Sequence, residues 1–321
     1  MKPSVTDLGY GISLIDLYDM EFEKRTGCYV FREERVLLET GPGPSIAHLL
    51  RGLEALNIAP DSVRYIIVTH IHLDHSGGAG LLVTHCPNAQ VVVHPRGARH
   101  LVDPSRLAAS AKKVFGENFN KFFDPILPVP EERILVKNEG DTLSIGENRT
   151  LRFLDSPGHA LHHFSVYDPV SNGLFTGDTA GIRYTQLDEE GIPFFLPSTS
   201  PNQFDPDAML ASIERFASMN PERIYFGHYG VYTDIDEVFR QVRYWLDRFM
   251  AIGKDYVAKH QIDAATMEQQ TDELGRQLLD AVKSHLTSLG VQTNHPVYEI
   301  LTSDCKVDAM GILDYFMKKN A

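Results

Sequence analysis

The sequence predicts an α/β chain of the α+β kind that ends in a helical appendage, and three observations predict it. Short apolar runs bounded by Gly, Pro and Asn recur as far as residue 228. Apolar residues spaced by three and four mark amphipathic helices after residue 44 and again from residue 236. Beyond residue 255 the helical spacing continues with almost no strand alternation. The reading places one domain at residues 1–245 and a C-terminal helical extension at residues 246–321. With 321 residues and 43% hydrophobic content, the chain can fill a sizeable core.

In chain order, residues 12–15, 28–31 and 35–38 read as strands. A helix follows Pro44-Ser, with Ile46, Leu49, Leu50, Leu53 and Leu56 on one face. Residues 65–68 and 90–93 are further apolar strand-like runs. Residues 101–126 interrupt the pattern with Leu107, Val114, Phe115, Phe119, Phe122 and Phe123 among polar residues, which reads as helical turns with an aromatic face. Such a face serves as core, lid or dimer contact, so a homodimer stays open. Apolar runs then precede Asp155, Asp178 and His228. Residues 181–204 are long for a plain connection and carry Arg183, Tyr184, Phe194 and Phe195. Tyr184 is a candidate to polarise a substrate carbonyl, Phe194 and Phe195 to line an acyl pocket, with Arg183 beside them; packing beneath the loop is the competing reading. Val238, Val242, Trp245, Leu246 and Phe249 mark a helix over residues 236–252, and Leu274, Leu278, Leu279, Val282 and Leu286 a later one.

Residues 69–78 read Thr-His-Ile-His-Leu-Asp-His-Ser-Gly-Gly. Three histidines and an aspartate within six positions at a strand exit read as most of a two-metal site. In extended chain alternate residues face one side, so His70 and His72 can share one ion, whereas the adjacent Asp74 and His75 need a turn to face a second. Imidazole and carboxylate without thiol suit zinc, iron or manganese. Three more candidates each follow a strand-like run: His159 in Asp-Ser-Pro-Gly-His, Asp178 in Leu-Phe-Thr-Gly-Asp, and His228 in Ile-Tyr-Phe-Gly-His. Singly, each is ordinary turn chemistry; with the first cluster they read as sheet edges delivering side chains to one rim.

The order T-H-x-H-x-D-H, P-G-H, G-D, G-H resembles the metallo-β-lactamase superfamily over residues 10–245. The resemblance implies a four-layer αββα sandwich with a metal site at one edge. It implies that His70, His72 and His159 bind one divalent ion, that Asp74, His75 and His228 bind a second, and that Asp178 bridges them, zinc being the expected metal. Val-His-Pro-Arg-Gly-Ala-Arg-His from residue 93 and Leu-Pro-Val-Pro-Glu from residue 127 are similar to a branch of uncharacterised archaeal and bacterial hydrolases. Glu39, in Leu-Leu-Glu-Thr-Gly, stands where the family's strand commonly ends in Asp-Thr-Gly. In the family that acid supports the ligand loop from behind, which makes Glu39 a candidate partner for a metal-bound imidazole N–H.

The implied chemistry is hydrolysis of a carboxylic ester, lactone or thioester by a bridging hydroxide, with Asp74 moving a proton to the leaving group and Asp178 holding the cations together. The alternatives are a phosphodiesterase or phosphotriesterase on the same ions, a mononuclear iron oxidoreductase like the persulfide dioxygenases, or a non-catalytic module. Gly-x-Ser-x-Gly is absent, so the usual mark of a serine hydrolase is missing. A net charge of −13 argues against nucleic acid as partner and leaves a small-molecule substrate. No run approaches a membrane span, the start lacks a basic-then-apolar leader, and three scattered cysteines make no disulfide framework. The expectation is a cytoplasmic enzyme with no membrane partner. Glyoxalase-type relatives also end in helices but carry a basic cluster for glutathione, which this tail lacks. The substrate itself is set by loops that the motifs do not specify.

Overall fold

The computed structural model describes residues 4–263 and 265–320. Two compact units interleave along the chain. One comprises residues 1–156, 162–177 and 220–235, and the other residues 157–161, 178–219 and 236–321.

The first unit is built on two sheets. The first has seven strands in chain order: β1 (Val5–Asp7), β2 (Ile12–Asp16), β3 (Gly27–Phe31), β4 (Val36–Leu38), β5 (Tyr65–Ile67), β6 (Gln90–Val93) and β7 (Ile134–Val136). Its first four strands are antiparallel and its last four pair in parallel, so the sheet is mixed at β4. Parallel pairing needs crossovers, and these supply α1 (Ile46–Ala55), α2 (Leu73–Ser76), α3 (Ala79–His85), α4 (Pro95–Val102), α5 (Ser105–Phe115) and α6 (Phe119–Phe123). The second sheet runs through β8 (Thr142–Gly146), β9 (Arg149–Asp155), β10 (Phe164–Asp168) and β11 (Gly173–Gly177).

Alternation along the first sheet sorts its side chains. Tyr29, Phe31, Val36, Leu38, Ile67 and Val92 point into a buried cluster with Leu151, Phe153, Phe164 and Phe175 of the second sheet. Cys28, Val30, Leu37, Ile66, Val91 and Val93 point the other way, onto Leu49 and Leu53 of α1 and Leu82 of α3. The strands are therefore apolar on both faces, which is why the sequence shows them as continuous runs rather than alternating ones. A buried ion pair sits between β9 and the end of β10, where Arg149 Nε lies 3.0 Å from Asp168 Oδ1.

The second unit opens with the hairpin β12 (Ile182–Arg183) and β13 (Phe195–Leu196), then α7 (Pro206–Ser218). The chain returns to the second sheet for β14 (Arg223–Phe226), parallel to β11, and β15 (Val231–Tyr232). It then enters α8 (Ile235–Lys259), α9 (Met267–Ser288) and α10 (Val297–Asn320). The expected helices at 236–252 and beyond 255 are present. The expected boundary at 245–246 falls inside α8, one continuous helix, and residues 178–219 cluster with the C-terminal helices rather than with the sheets. Trp245 and Phe249 of α8 are buried, with Phe194 packed edge-on to Trp245 at 5.9 Å. All three cysteines are buried free thiols. No helix among the described residues is long and apolar enough to cross a membrane.

Candidate metal centre

Each predicted ligand follows a strand. After β5 the chain bends at Thr69 and His70, and His72, in extended conformation, then caps α2. That four-residue helix is the turn the adjacent pair Asp74 and His75 required. Its curvature brings Asp74 Oδ2 to 3.5 Å from His75 Nε2 and equally to 3.5 Å from Nε2 of His228, which follows β14. One oxygen or nitrogen from each of Asp74, His75 and His228 lies within 4.8 Å of the others, a spacing that can hold a cation. His70 Nε2 and His72 Nδ1 are 3.1 Å apart. The first unit thus gathers five candidates on one side of its sheet ends. Tyr29 of β3 hydrogen-bonds from its hydroxyl to the carbonyls of Phe226 (2.6 Å) and Gly230 (2.7 Å), fixing the backbone on both sides of His228.

Glu39 lies directly behind this loop and is 1% exposed. It accepts a short hydrogen bond from the Thr69 hydroxyl, which itself stands 3.1 Å from His70 Nδ1. Because the Thr69 hydroxyl gives its proton to Glu39, it meets the imidazole as an acceptor, so the His70 proton sits on Nδ1 and Nε2 keeps its lone pair. Glu39 Oε1 is also 3.6 Å from His75 Nδ1.

In the second unit, His159 follows Gly158, whose φ of +131° and close approach to the Met209 backbone exclude a side chain. His159 Nε2 stands 3.6 Å from Asp178 Oδ2, and His159 Nδ1 lies 3.0 Å from the Ser198 carbonyl. Both residues are nearly inaccessible. The candidates in the 181–204 segment fare differently. Tyr184 is 1% exposed and donates its hydroxyl to Asp304 at 2.9 Å, its pKa driven up by burial and by that carboxylate. Phe194 and Phe195 are fully buried. Arg183 pairs with Asp188 at 2.8 Å. These placements match packing beneath the loop, the competing reading of the segment, rather than a pocket wall.

Three residues escaped the sequence reading. His163 packs its ring on His70 at 5.0 Å and shares a 2.8 Å hydrogen bond with Ser156, while His162 meets His72 edge-on at 5.3 Å. Their signal was present in Pro-Gly-His-Ala-Leu-His-His, where two further histidines follow His159 within one turn of chain. Asp19 is fully buried with Arg25 Nε 3.3 Å away. Burial pushes its pKa up to about 6 against the pull of Arg25, and Asp74 adds to the rise. One of two acids in Tyr-Asp-Met-Glu, Asp19 gives no sequence hint of that burial.

The model of the Metallo-beta-lactamase superfamily matches residues 26–228, and the chain belongs to that superfamily. It is 27% identical over 226 residues to the Metallo-beta-lactamase fold-containing protein ST1585 of Sulfurisphaera tokodaii, covering 69% of this chain and 79% of that one. The crystal structure of ST1585 superposes with a TM-score of 0.65 at 22% identity, over 94% of this chain and 98% of that one. An N-acyl homoserine lactonase AttM of Rhizobium johnstonii is 31% identical over 149 residues, covering 46% of this chain and 52% of the lactonase. Thioesterase pkgB of Emericella nidulans is 30% identical over 146 residues, covering 45% of this chain and 32% of the thioesterase. The chain therefore spans about half the length of that lactonase and a third of that thioesterase.

Proposed function

We propose that the protein is a dinuclear metal-dependent hydrolase that cleaves a carboxylic ester, with lactones and thioesters as the substrate class. The observation that carries the reading is the donor set. One donor atom of each of Asp74, His75 and His228 lies within 4.8 Å of the others, imidazole and carboxylate atoms only, with Asp74 and His75 in α2 and His228 just after β14. Nitrogen and oxygen donors of this kind fit zinc, manganese or iron and disfavour soft metals. By family correspondence His70, His72 and His159 would hold one cation, Asp74, His75 and His228 a second, and Asp178 would be the carboxylate common to both. When bound, such cations polarise a carbonyl and lower the pKa of water from about 15.7 to about 7.

The remaining work belongs to the chain. Thr69 and the Ser198 carbonyl each take up an imidazole Nδ1–H, of His70 and His159, so both rings present Nε2. Asp74 is the one candidate ligand carboxylate with solvent access, its side chain 25% exposed, which suits it to pass a proton to a departing alkoxide or thiolate. The names of the lactonase and thioesterase relatives support the ester class, and a net charge of −13 disfavours polyanionic substrates.

Elemental analysis of protein purified without added metal, followed by an ester, lactone, thioester and phosphoester panel, tests this. The reading predicts two zinc or manganese ions per chain, lactone or thioester turnover, and a fall of about 10³-fold or more in Asp178→Ala. A single iron with oxygen consumption on a persulfide overturns it in favour of an oxidoreductase. Turnover confined to phosphoesters overturns the substrate class.

A further inference from the structure

We infer that Asp308, on the C-terminal helix α10, is a positioning residue for His159, acting through the one peptide unit that joins Ser198 to Thr199. The Ser198 carbonyl lies 3.0 Å from His159 Nδ1. A carbonyl can only accept, so Nδ1 carries the proton and Nε2, on the Asp178 side at 3.6 Å, is left with its lone pair. The N–H of the same peptide unit belongs to Thr199, and it donates to Asp308 Oδ1 at 2.7 Å. The Thr199 hydroxyl stands 3.1 Å from the same oxygen and 3.0 Å from the Asp308 carbonyl.

A peptide unit is planar, so fixing the direction of its N–H fixes the direction of its C=O. Asp308 therefore aims the carbonyl that sets the tautomer and rotation of His159, from 109 residues further along the chain. The two hydrogen bonds act in series. An acceptor on the N–H draws negative charge onto the carbonyl oxygen, which strengthens its hold on Nδ1–H. His159, Thr199 and Asp308 are 1%, 0% and 3% exposed, so water does not compete for any of the three.

A second feature of α10 serves the same seat. At Gly311 a Cβ would collide with the Thr199 carbonyl, so the helix backbone lies directly on the loop. Asp308 and Gly311 sit on adjacent turns of one face, one holding the peptide and the other leaving room for it. The helical appendage is thereby part of the metal-binding apparatus rather than a separate attachment.

This rests on the metal-hydrolase reading for its consequence but not for its geometry, and the test separates the two. Wild type, Asp308→Asn, Asp308→Leu and Gly311→Ala are labelled with ¹⁵N-histidine, and the ring shifts of His159 are read in metal-free protein, assigned with His159→Gln. Zinc affinity is then measured by competition with a chromophoric chelator, after circular dichroism shows that each variant is folded. Asp308→Asn keeps an acceptor oxygen and should match wild type in both readouts. Asp308→Leu and Gly311→Ala should lose the Nδ1–H preference and bind one of two zinc equivalents about 10- to 100-fold more weakly.

Folded Asp308→Leu or Gly311→Ala with the wild-type tautomer and affinity overturns the inference, as does Asp308→Asn with the defect. Gly311→Ala leaves the carboxyl in place, so the test survives if Asp308→Leu does not fold. Wild type that binds no zinc but keeps Nδ1–H on His159 sinks the proposed function and supports the positioning role.

Discussion

Glu39 reaches the candidate ligand His70 through Thr69. Its carboxylate takes the Thr69 proton, and Thr69 in turn stands 3.1 Å from His70 Nδ1. Glu39→Ala would strand the buried Thr69 hydroxyl and the Thr69 N–H, which lies 3.4 Å from Glu39 Oε1. The expected loss is about 1–3 kcal/mol of stability in metal-free protein, and about 10- to 100-fold in zinc affinity. Urea denaturation and chelator competition measure the two, and unchanged zinc affinity would remove Glu39 from the site. The candidate ligands stood out because His70, His72, Asp74 and His75 crowd into six positions, while His159, Asp178 and His228 each follow a glycine after a strand-like run. Asp304 and Asp308 were not, since lone acids in a helix read as solvated. Their trace is positional: Asp304 and Asp308 fall on the stripe of Leu301, Cys305 and Ile312, where an acid has to be buried. Nothing in the sequence names Tyr184 or Thr199 as their partners.

At the scale of elements, the aromatic interruption is tied to the loop that carries the candidate ligands. Leu73, between His72 and Asp74, packs with Phe119 and Phe123 of α6 in a small cluster of its own, rimmed by Phe115, Phe122 and Ile126. The sequence showed the aromatic face but left core, lid and dimer contact open. Packing on Leu73 gives α6 a buttressing role, because α2 is only four residues long and cannot hold its shape without tertiary support. Phe123 is 1% exposed, so Phe123→Ala should cost about 3 kcal/mol or more. Zinc affinity should fall with it as the loop loosens, read by chelator competition at a temperature where the variant remains folded. A stability loss with undiminished affinity would confine α6 to packing. The strands were easier to read than these helices because both faces of β3, β5 and β6 are buried. Hairpin β12–β13 was missed because two-residue strands carry no periodicity.

For the whole molecule, the contiguous boundary drawn from the sequence gives way to interleaved units, since contact between residues 199 and 308 leaves no mark on local pattern. That burial has a measurable pH signature. Burial pushes Asp308 up to about 8 and Asp16 up to about 6, each from an ordinary value of 3.8. A carboxyl whose folded pKa is raised binds its proton more tightly in the folded state, so between pH 4 and its folded pKa the native protein holds a proton the unfolded chain has released. Stability then falls as pH rises through that window, by at most about 1.4 kcal/mol per unit for each group. Asp16 stops contributing near pH 6 and Asp308 near pH 8, so the span from 6 to 8 isolates Asp308 among these carboxyls. Asp308→Asn removes the titration while keeping the acceptor for Thr199. The stability of Asp308→Asn relative to wild type, both stripped of metal, should therefore climb between pH 6 and 8 and level off above it. Urea denaturation at half-unit pH steps provides the measurement. A difference that stays flat across pH 6–8 would mean that Asp308 is ionised in the folded protein at neutral pH, with a counter-charge that its buried surroundings do not explain.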